Sequence, residues 1–189
     1  MVTGTPGVGK TVISELLASR IKARLISLGD LVKREGLHTG LDRKRDTFVA
    51  DLEKVSERVK EIIAQSAEEV VIEGHYAIDV ASPEDVRLAF VLRRDPEDLR
   101  RILRERSYRE EKVRENLAAE ILDVCLYDAV KRLGTSKVCE IDVTARRAED
   151  VVEEVLQVLH GTKECRLGVV DWLGKLEGQG KLDEYLKEL

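Results

Sequence analysis

Residues 4–11 read GTPGVGKT, and a chain with Gly4, Gly9, Lys10 and Thr11 at that spacing must pass from a strand through a tight loop into a helix. This is the pattern of a phosphate-binding P-loop. Its glycines let backbone N–H groups turn inward around a β-phosphate, Lys10 reaches the β/γ oxygens, and the Thr11 hydroxyl suits Mg²⁺. The following helix adds its positive N-terminal end, and Val12, Ile13, Leu16 and Leu17 recur in it at helical spacing. A nucleoside triphosphate is therefore the expected ligand. Only Met1, Val2 and Thr3 precede Gly4, which is short for a central buried strand and leaves room for a natural start upstream.

Beyond the loop, short β-rich runs alternate with amphipathic stretches, the pattern of an α/β fold with a doubly wound parallel sheet covered on both faces. Five strands are expected, at 1–3, 25–28, 70–73, 88–92 and 137–141. Helices are expected at 10–23, 50–65, 96–105, 113–133 and 148–159, with Leu52, Val55, Val59, Ile62 and Ile63 marking one apolar stripe. In such a sheet the active groups gather beyond the strands' carboxyl ends, here after Thr3, Leu28, Glu73 and Leu92.

From Gly29 to Asp46 the hydrophobic rhythm fails and charge rises in LDRKRD, which reads as a mobile lobe extending over about 29–52. The charged run RRILRERSYREEKVREN suggests a short lid at about 105–116. A core of 1–160 is then followed by an extension, 161–189, whose segments LGVVDWL and LDEYLKEL read as two short amphipathic pieces of an appended docking element.

One domain is the natural count for 189 residues. A net charge of −5 argues against bulk nucleic-acid binding and suits a basic protein partner. Cys125, Cys139 and Cys165 are widely spaced and show no metal-ligand pattern, so they read as buried thiols in a reducing compartment. No signal peptide, lipidation motif or long apolar run is visible, and a soluble cytoplasmic protein with no membrane contact is expected.

Within VVIEGH, Glu73 closes an apolar strand and can hold water on Mg²⁺ opposite the P-loop, while His75 can orient a water or contact phosphates. Each also has a plainer reading, as a strand-end acid and a hydrogen-bonded loop histidine; His38 and His160 carry only the plainer one. In ISLGDLVKR, Gly29 permits close backbone approach, Asp30 can cap the next helix, and Lys33 and Arg34 can meet a second anionic substrate or simply be solvated. Most of the arginines from Arg93 to Arg109 are expected on solvated helix surface. Arg106 is the best placed to close over a triphosphate. Asn116 and Glu120, at i and i+4, are expected to brace the lid.

Taken together, GTPGVGKT, SLGDL, VVIEGH, FVLRRD, RERSY with EEKVRENLAAEI, and an acidic C-terminal helix resemble the archaeal and eukaryotic adenylate-kinase-like ATPases of the Fap and CINAP type. The likeness runs from Met1 to about Leu159. It implies a broad-specificity nucleoside monophosphate kinase using ATP and Mg²⁺, with intrinsic ATPase activity. It also implies a part in maturing the small ribosomal subunit through contact with one of its ribosomal proteins. By position it puts the ATP phosphates on Gly7, Gly9, Lys10, Thr11 and the Val12 backbone, the AMP-type acceptor on the lobe, Arg106 at the head of the lid, and a base contact on Arg146 or Arg147. Three positions depart from the family pattern: Glu73 stands for Asp, Ser107 for Gly, and Ile102 for a frequent Arg. The rival to a kinase is an assembly ATPase in which water attacks and His75 directs it. A signalling GTPase is disfavoured by the lack of an NKxD-type sequence.

Overall fold

A computed structural model describes residues 1–42 and 47–186 of the chain. The chain opens with β1 (Val2–Thr3), the phosphate loop, α1 (Lys10–Ile21), β2 (Arg24–Ser27) and α2 (Leu28–Glu35). A hairpin of β3 (His38–Asp42) and β4 (Thr47–Ala50) follows, then α3 (Leu52–Gln65), β5 (Val70–Glu73), α4 (Ala77–Val80), β6 (Ala89–Arg93) and α5 (Pro96–Glu105). The remainder comprises α6 (Glu110–Ile121), α7 (Val124–Leu133), β7 (Val138–Asp142), α8 (Ala148–Leu159), α9 (Trp172–Gly178) and α10 (Leu182–Leu186).

Five strands form one parallel sheet in the order β2-β5-β1-β6-β7. Side chains alternate between its faces. On β6, Ala89 and Val91 join a core with α2, α3, α4 and α7, whereas Phe90 and Leu92 join a second core with α1, α5, α6 and α8. A strand buried on both faces has no polar positions to show, which is why these runs read as continuously apolar. The chain runs from β1 outward to β2 and later crosses to β6 on the other side of β1, so the phosphate loop leaves the sheet where the winding reverses. This establishes the P-loop α/β fold that the sequence implies. Although β1 has only 2 residues, it is paired on both sides, with Val2 opposite Glu73 and opposite Phe90.

The expected helix at 113–133 is two helices. Asp123 takes φ 57° between α6 and α7, a left-handed conformation that Asp tolerates better than most residues, and its carboxylate meets the Arg93 guanidinium. Apolar spacing continues across the break, so periodicity does not reveal it. The stretch read as a mobile lobe contains most of α2, the helix that the reading of Asp30 and Lys33 allowed for, and the unforeseen β3–β4 hairpin, where His38 stacks on Phe48 with ring centroids 4.3 Å apart. Much of LDRKRD, at 43–46, lies outside the described residues.

Two expectations about side chains are overturned. Cys139 and Cys165 are joined in a disulfide, leaving Cys125 as the free thiol. Bonding requires the chain after α8 to turn back along β7, where Glu140 N donates to Arg166 O at 2.8 Å and covers the sheet edge. Arg93, expected on helix surface, ends β6 and is 1% exposed. The segment read as a docking element packs on its own chain: Trp172, Leu176 and Tyr185 are buried in the core that α1 and α6 share.

Candidate active site

Gly9 caps α1 with φ 108° and ψ 18°, a backbone shape that strongly favours glycine, and this turns the loop's N–H groups toward the helix axis. Gly7 is equally constrained. Its φ is 97°, and a Cβ there would lie 2.9 Å from methyl groups of both Leu99 and Leu103. The Lys10 ammonium donates to Gly4 O at 2.8 Å and to Thr5 O at 3.0 Å, so the loop's own carbonyls orient it. Burial pushes the Lys10 pKa below its ordinary value, with Glu73 and Glu120 acting the other way and Arg106 adding to the lowering.

Glu73, at the carboxyl end of β5, is buried beside the loop. Ser27 Oγ donates to its Oε1 at 2.8 Å, and Thr11 Oγ1 stands 3.5 Å from the same oxygen. Register explains the meeting, because Ser27 pairs with Glu73 across β2 and β5, and Glu73 pairs with Val2 just before the loop. A hydroxyl and a carboxylate at the head of a phosphate cradle fit Mg²⁺, which takes hard oxygen donors and fills its remaining positions with water and phosphate. Among the described residues no cluster of three or more His, Cys, Asp or Glu side chains forms a separate metal site.

A cavity of about 420 Å³ runs from this cradle to the hairpin lobe, lined by Gly7, Gly9, Lys10, Thr11, Val12, Gly29, Asp30, Lys33, Glu73, His75 and Arg106. Asp30 lies in the first turn of α2, whose N-cap position belongs to Ser27. His75 is exposed toward solvent, yet the surrounding protein together with Lys10 and Lys112 pushes its pKa down to about 4, leaving the imidazole uncharged at neutral pH. Arg106 differs from its neighbours. Arg94 pairs with Asp98, Arg100 with Glu184, Arg101 with Asp98 and Glu105, and Arg104 with Glu110, whereas Arg106 has no ion pair among the described residues.

The family model described as an AAA domain matches residues 1–123. A protein of Methanocaldococcus jannaschii named "Putative adenylate kinase" is 39% identical over 174 residues, covering 92% of each chain. Two more of that name, from Methanosarcina acetivorans and Saccharolobus islandicus, are 38% and 36% identical over 185 and 187 residues. They cover 91% and 99% of this chain and 96% and 94% of their own. The chain belongs to the adenylate-kinase-like family.

Solved structures agree on the fold. A shikimate kinase of Acinetobacter baumannii superposes with a TM-score of 0.59 at 17% identity, covering 86% of this chain and 92% of its own. One from Bacteroides thetaiotaomicron gives 0.55 at 20%, covering 84% and 96%.

Against the adenylate-kinase-like pattern, Ser107 occupies the place of a glycine, and its φ of 57° shows what that glycine is suited to: a left-handed turn directly after Arg106. Arg146 is held by contacts of its own, outside the lining of this cavity. It donates to Asp142 O at 3.0 Å and pairs with Glu154 at 2.6 Å, and neither it nor Arg147 lines the cavity. Asn116 bonds the carbonyl of Lys112 within α6, while Glu120 points into the protein beneath the phosphate loop, so the two do not act together as a brace. Sequence reasoning missed Ser27, Phe48, Tyr76 and Tyr108 as lining residues. Tyr108 was the most accessible of these, two positions beyond the singled-out arginine.

Proposed function

We propose that the protein is a nucleoside monophosphate kinase that transfers the γ-phosphoryl group of Mg-ATP to AMP or a similar monophosphate. The observation that carries this reading is the continuity of one cavity from the phosphate cradle at Gly9 and Lys10 to the lobe at Gly29, Asp30 and Lys33. A site for hydrolysis alone has no need of a second lobe that brings a further cation, Lys33, to the same cavity. In this reading residues 1–160 form the kinase unit, with the acceptor lobe at 29–52 and the lid at 105–116, and 161–189 is an extension.

Phosphoryl transfer asks for alignment and for charge opposite the equatorial oxygens. The backbone of Gly7, Gly9 and Val12 cradles the donor phosphates while Lys10 reaches their β/γ oxygens. Lys33 draws the acceptor phosphate toward the same end of the cavity, and Gly29 lets the acceptor approach the backbone. Arg106, with no acid among the described residues to compete for it, meets charge that develops on the transferred group. Thr11 and Glu73 would hold Mg²⁺, which supplies further charge neutralisation when bound. An acceptor phosphate is ionised at neutral pH and has no proton to surrender, so an uncharged His75 serves to contact the phosphates or orient a water.

That neutral histidine also favours a second reading, an ATPase in which water takes the acceptor's place. A role in maturing the small ribosomal subunit with a ribosomal protein partner rests on the family resemblance and on the acidic net charge of −5. Incubation with γ-labelled ATP and Mg²⁺, with and without AMP, separates the readings. Label appearing in ADP formed from AMP supports the kinase. Label confined to inorganic phosphate overturns it in favour of the ATPase, for which retention of a small-subunit ribosomal protein is the next test.

A further inference from the structure

Thr5 belongs to the phosphate loop, yet it is fully buried and takes no part in lining the cavity. Its hydroxyl points to the other side of the loop and donates to Glu120 Oε2 at 2.6 Å. The other carboxylate oxygen, Glu120 Oε1, accepts from Arg93 Nε at 2.9 Å, from the Arg94 backbone N–H at 3.0 Å and from Trp172 Nε1 at 3.2 Å. Glu120 is 1% exposed. A buried carboxylate with four donors on two oxygens is fixed in place, and a group hydrogen-bonded to it is fixed in turn.

What it fixes matters. Thr5 O is one of the two carbonyls that orient the Lys10 ammonium, and Arg94, whose N–H meets Glu120, sends its guanidinium to Val8 O in the same loop at 3.2 Å. At the far end, Trp172 opens α9, which is tied down by three contacts. Asp171 accepts from Gly174 N at 2.8 Å, Val169 N donates to Glu140 Oε2 at 2.8 Å, and Lys175 pairs with Asp95, the residue that caps α5. Glu140 itself pairs with Arg93 at 2.6 Å.

We propose that Glu120 is a positioning residue for the phosphate loop, and that the Trp172 indole N–H holds it there, which makes the C-terminal extension a working part of the nucleotide site. The path is short and continuous: Trp172 to Glu120, Glu120 to Thr5, Thr5 to Lys10. It rests only on triphosphate binding at the loop and not on the identity of the acceptor.

Trp172 is the only tryptophan in the chain, so its emission reports this path without a label. The experiment titrates the full-length protein with Mg-ATP, reads occupancy by calorimetry, and follows Trp172 emission alongside. In the wild type the emission changes in step with occupancy. Thr5→Val keeps the side chain's shape but removes the donor; with a hydrogen bond to a charged group lost, ATP affinity falls about tenfold and the emission no longer follows occupancy. Thr5→Ser restores both. Trp172→Phe keeps a ring in the core without the N–H, and weakens calorimetric ATP affinity several-fold while the melting temperature of the unliganded protein stays near that of the wild type, a split that general loosening of the fold does not produce. Emission that stays constant through calorimetric saturation, or Thr5→Val and Trp172→Phe proteins that bind ATP as the wild type does, overturns the proposal. Label transfer to AMP is scored separately, so a protein that binds ATP without phosphorylating AMP still decides this question.

Discussion

Breaking the Cys139–Cys165 bond tests how the extension is held. The bonded residues are 26 apart in sequence. Treating the bond as a constraint on the unfolded chain, a loop of that length removes about 12 cal/mol/K of entropy, or about 3.5 kcal/mol at 25 °C. For a chain of this size each kcal/mol moves the melting temperature by roughly 2–4 °C, so Cys165→Ser lowers Tm by roughly 7–14 °C. A reducing agent acts on the wild type in the same direction and has no further effect on the variant. Loss of the bond leaves Trp172, Leu176 and Tyr185 free to remain buried, so the extension stays docked at room temperature and the cost appears on unfolding. The assay is thermal unfolding by circular dichroism with and without reductant, beside alkylation of the unfolded protein to count free thiols. One modified cysteine without reductant and three with it are expected. Three alkylated thiols from the start, or a Tm unmoved by Cys165→Ser, refute the bond and restore the reading of three thiols.

Lys10→Ala lowers turnover about 10²-fold or more, because a preorganised charge at the transferred group is lost; near-normal turnover would sink its assignment. Arg93→Met leaves Glu120 and Glu140 buried without their cation and costs about 3–5 kcal/mol in urea unfolding, where a loss under about 1 kcal/mol contradicts the reading of the cluster. For His75, a folded value of about 4 lies below the unfolded value near 6.5, so the folded state binds fewer protons between them. Protonation therefore opposes folding, so stability declines as pH falls from 6.5 toward 4, and above 6.5 the histidine makes no difference. An NMR titration of the imidazole should show its midpoint well under 6, and a midpoint at 6.5 removes the argument. Gly7→Ala demands a positive φ from alanine and pushes a methyl onto Leu99 and Leu103, so it costs about 1–3 kcal/mol and weakens ATP binding; unchanged stability and affinity would show that the loop can relax.

What the sequence shows of this fold is what local chemistry decides. The expected ends of α5 and α8 agree with the structure because capping and apolar spacing are written in neighbouring residues: Asp95 accepts from Glu97 N and Asp98 N, and Pro96 follows at the first helical position. The hairpin β3–β4 escaped because none of its residues is buried, so no apolar face marks it as a strand pair. The α6–α7 break escaped because Asp123 is held by Arg93, a contact 30 residues distant in sequence. Arg93 itself was misread for a related reason: in a run of arginines nothing local distinguishes the one that faces inward, and only Glu120 and Glu140, brought from other elements, make its burial tolerable.

The same contrast bears on the site. Among the described residues, Arg94, Arg100, Arg101 and Arg104 spend their charge on acids within the fold, while Lys33 and Arg106, without ion pairs there, both line the cavity. Paired charges fix helices; unpaired ones are available to a ligand. Two such cations in one cavity with Lys10 suit the proposed reaction, in which charge moves from one bound phosphate to another, and that reaction asks the cradle to stay in register with both. A loop built on Gly4, Gly7 and Gly9 has little stiffness of its own, because glycine gives up constraint for shape. Its stiffness comes from behind, from Thr5 on Glu120 and Val8 on Arg94. The residues proposed to bind the phosphates are thus readable in the motif, but the residues proposed to make the motif rigid are supplied by β6, α6 and the extension, where the sequence carries no local sign of them.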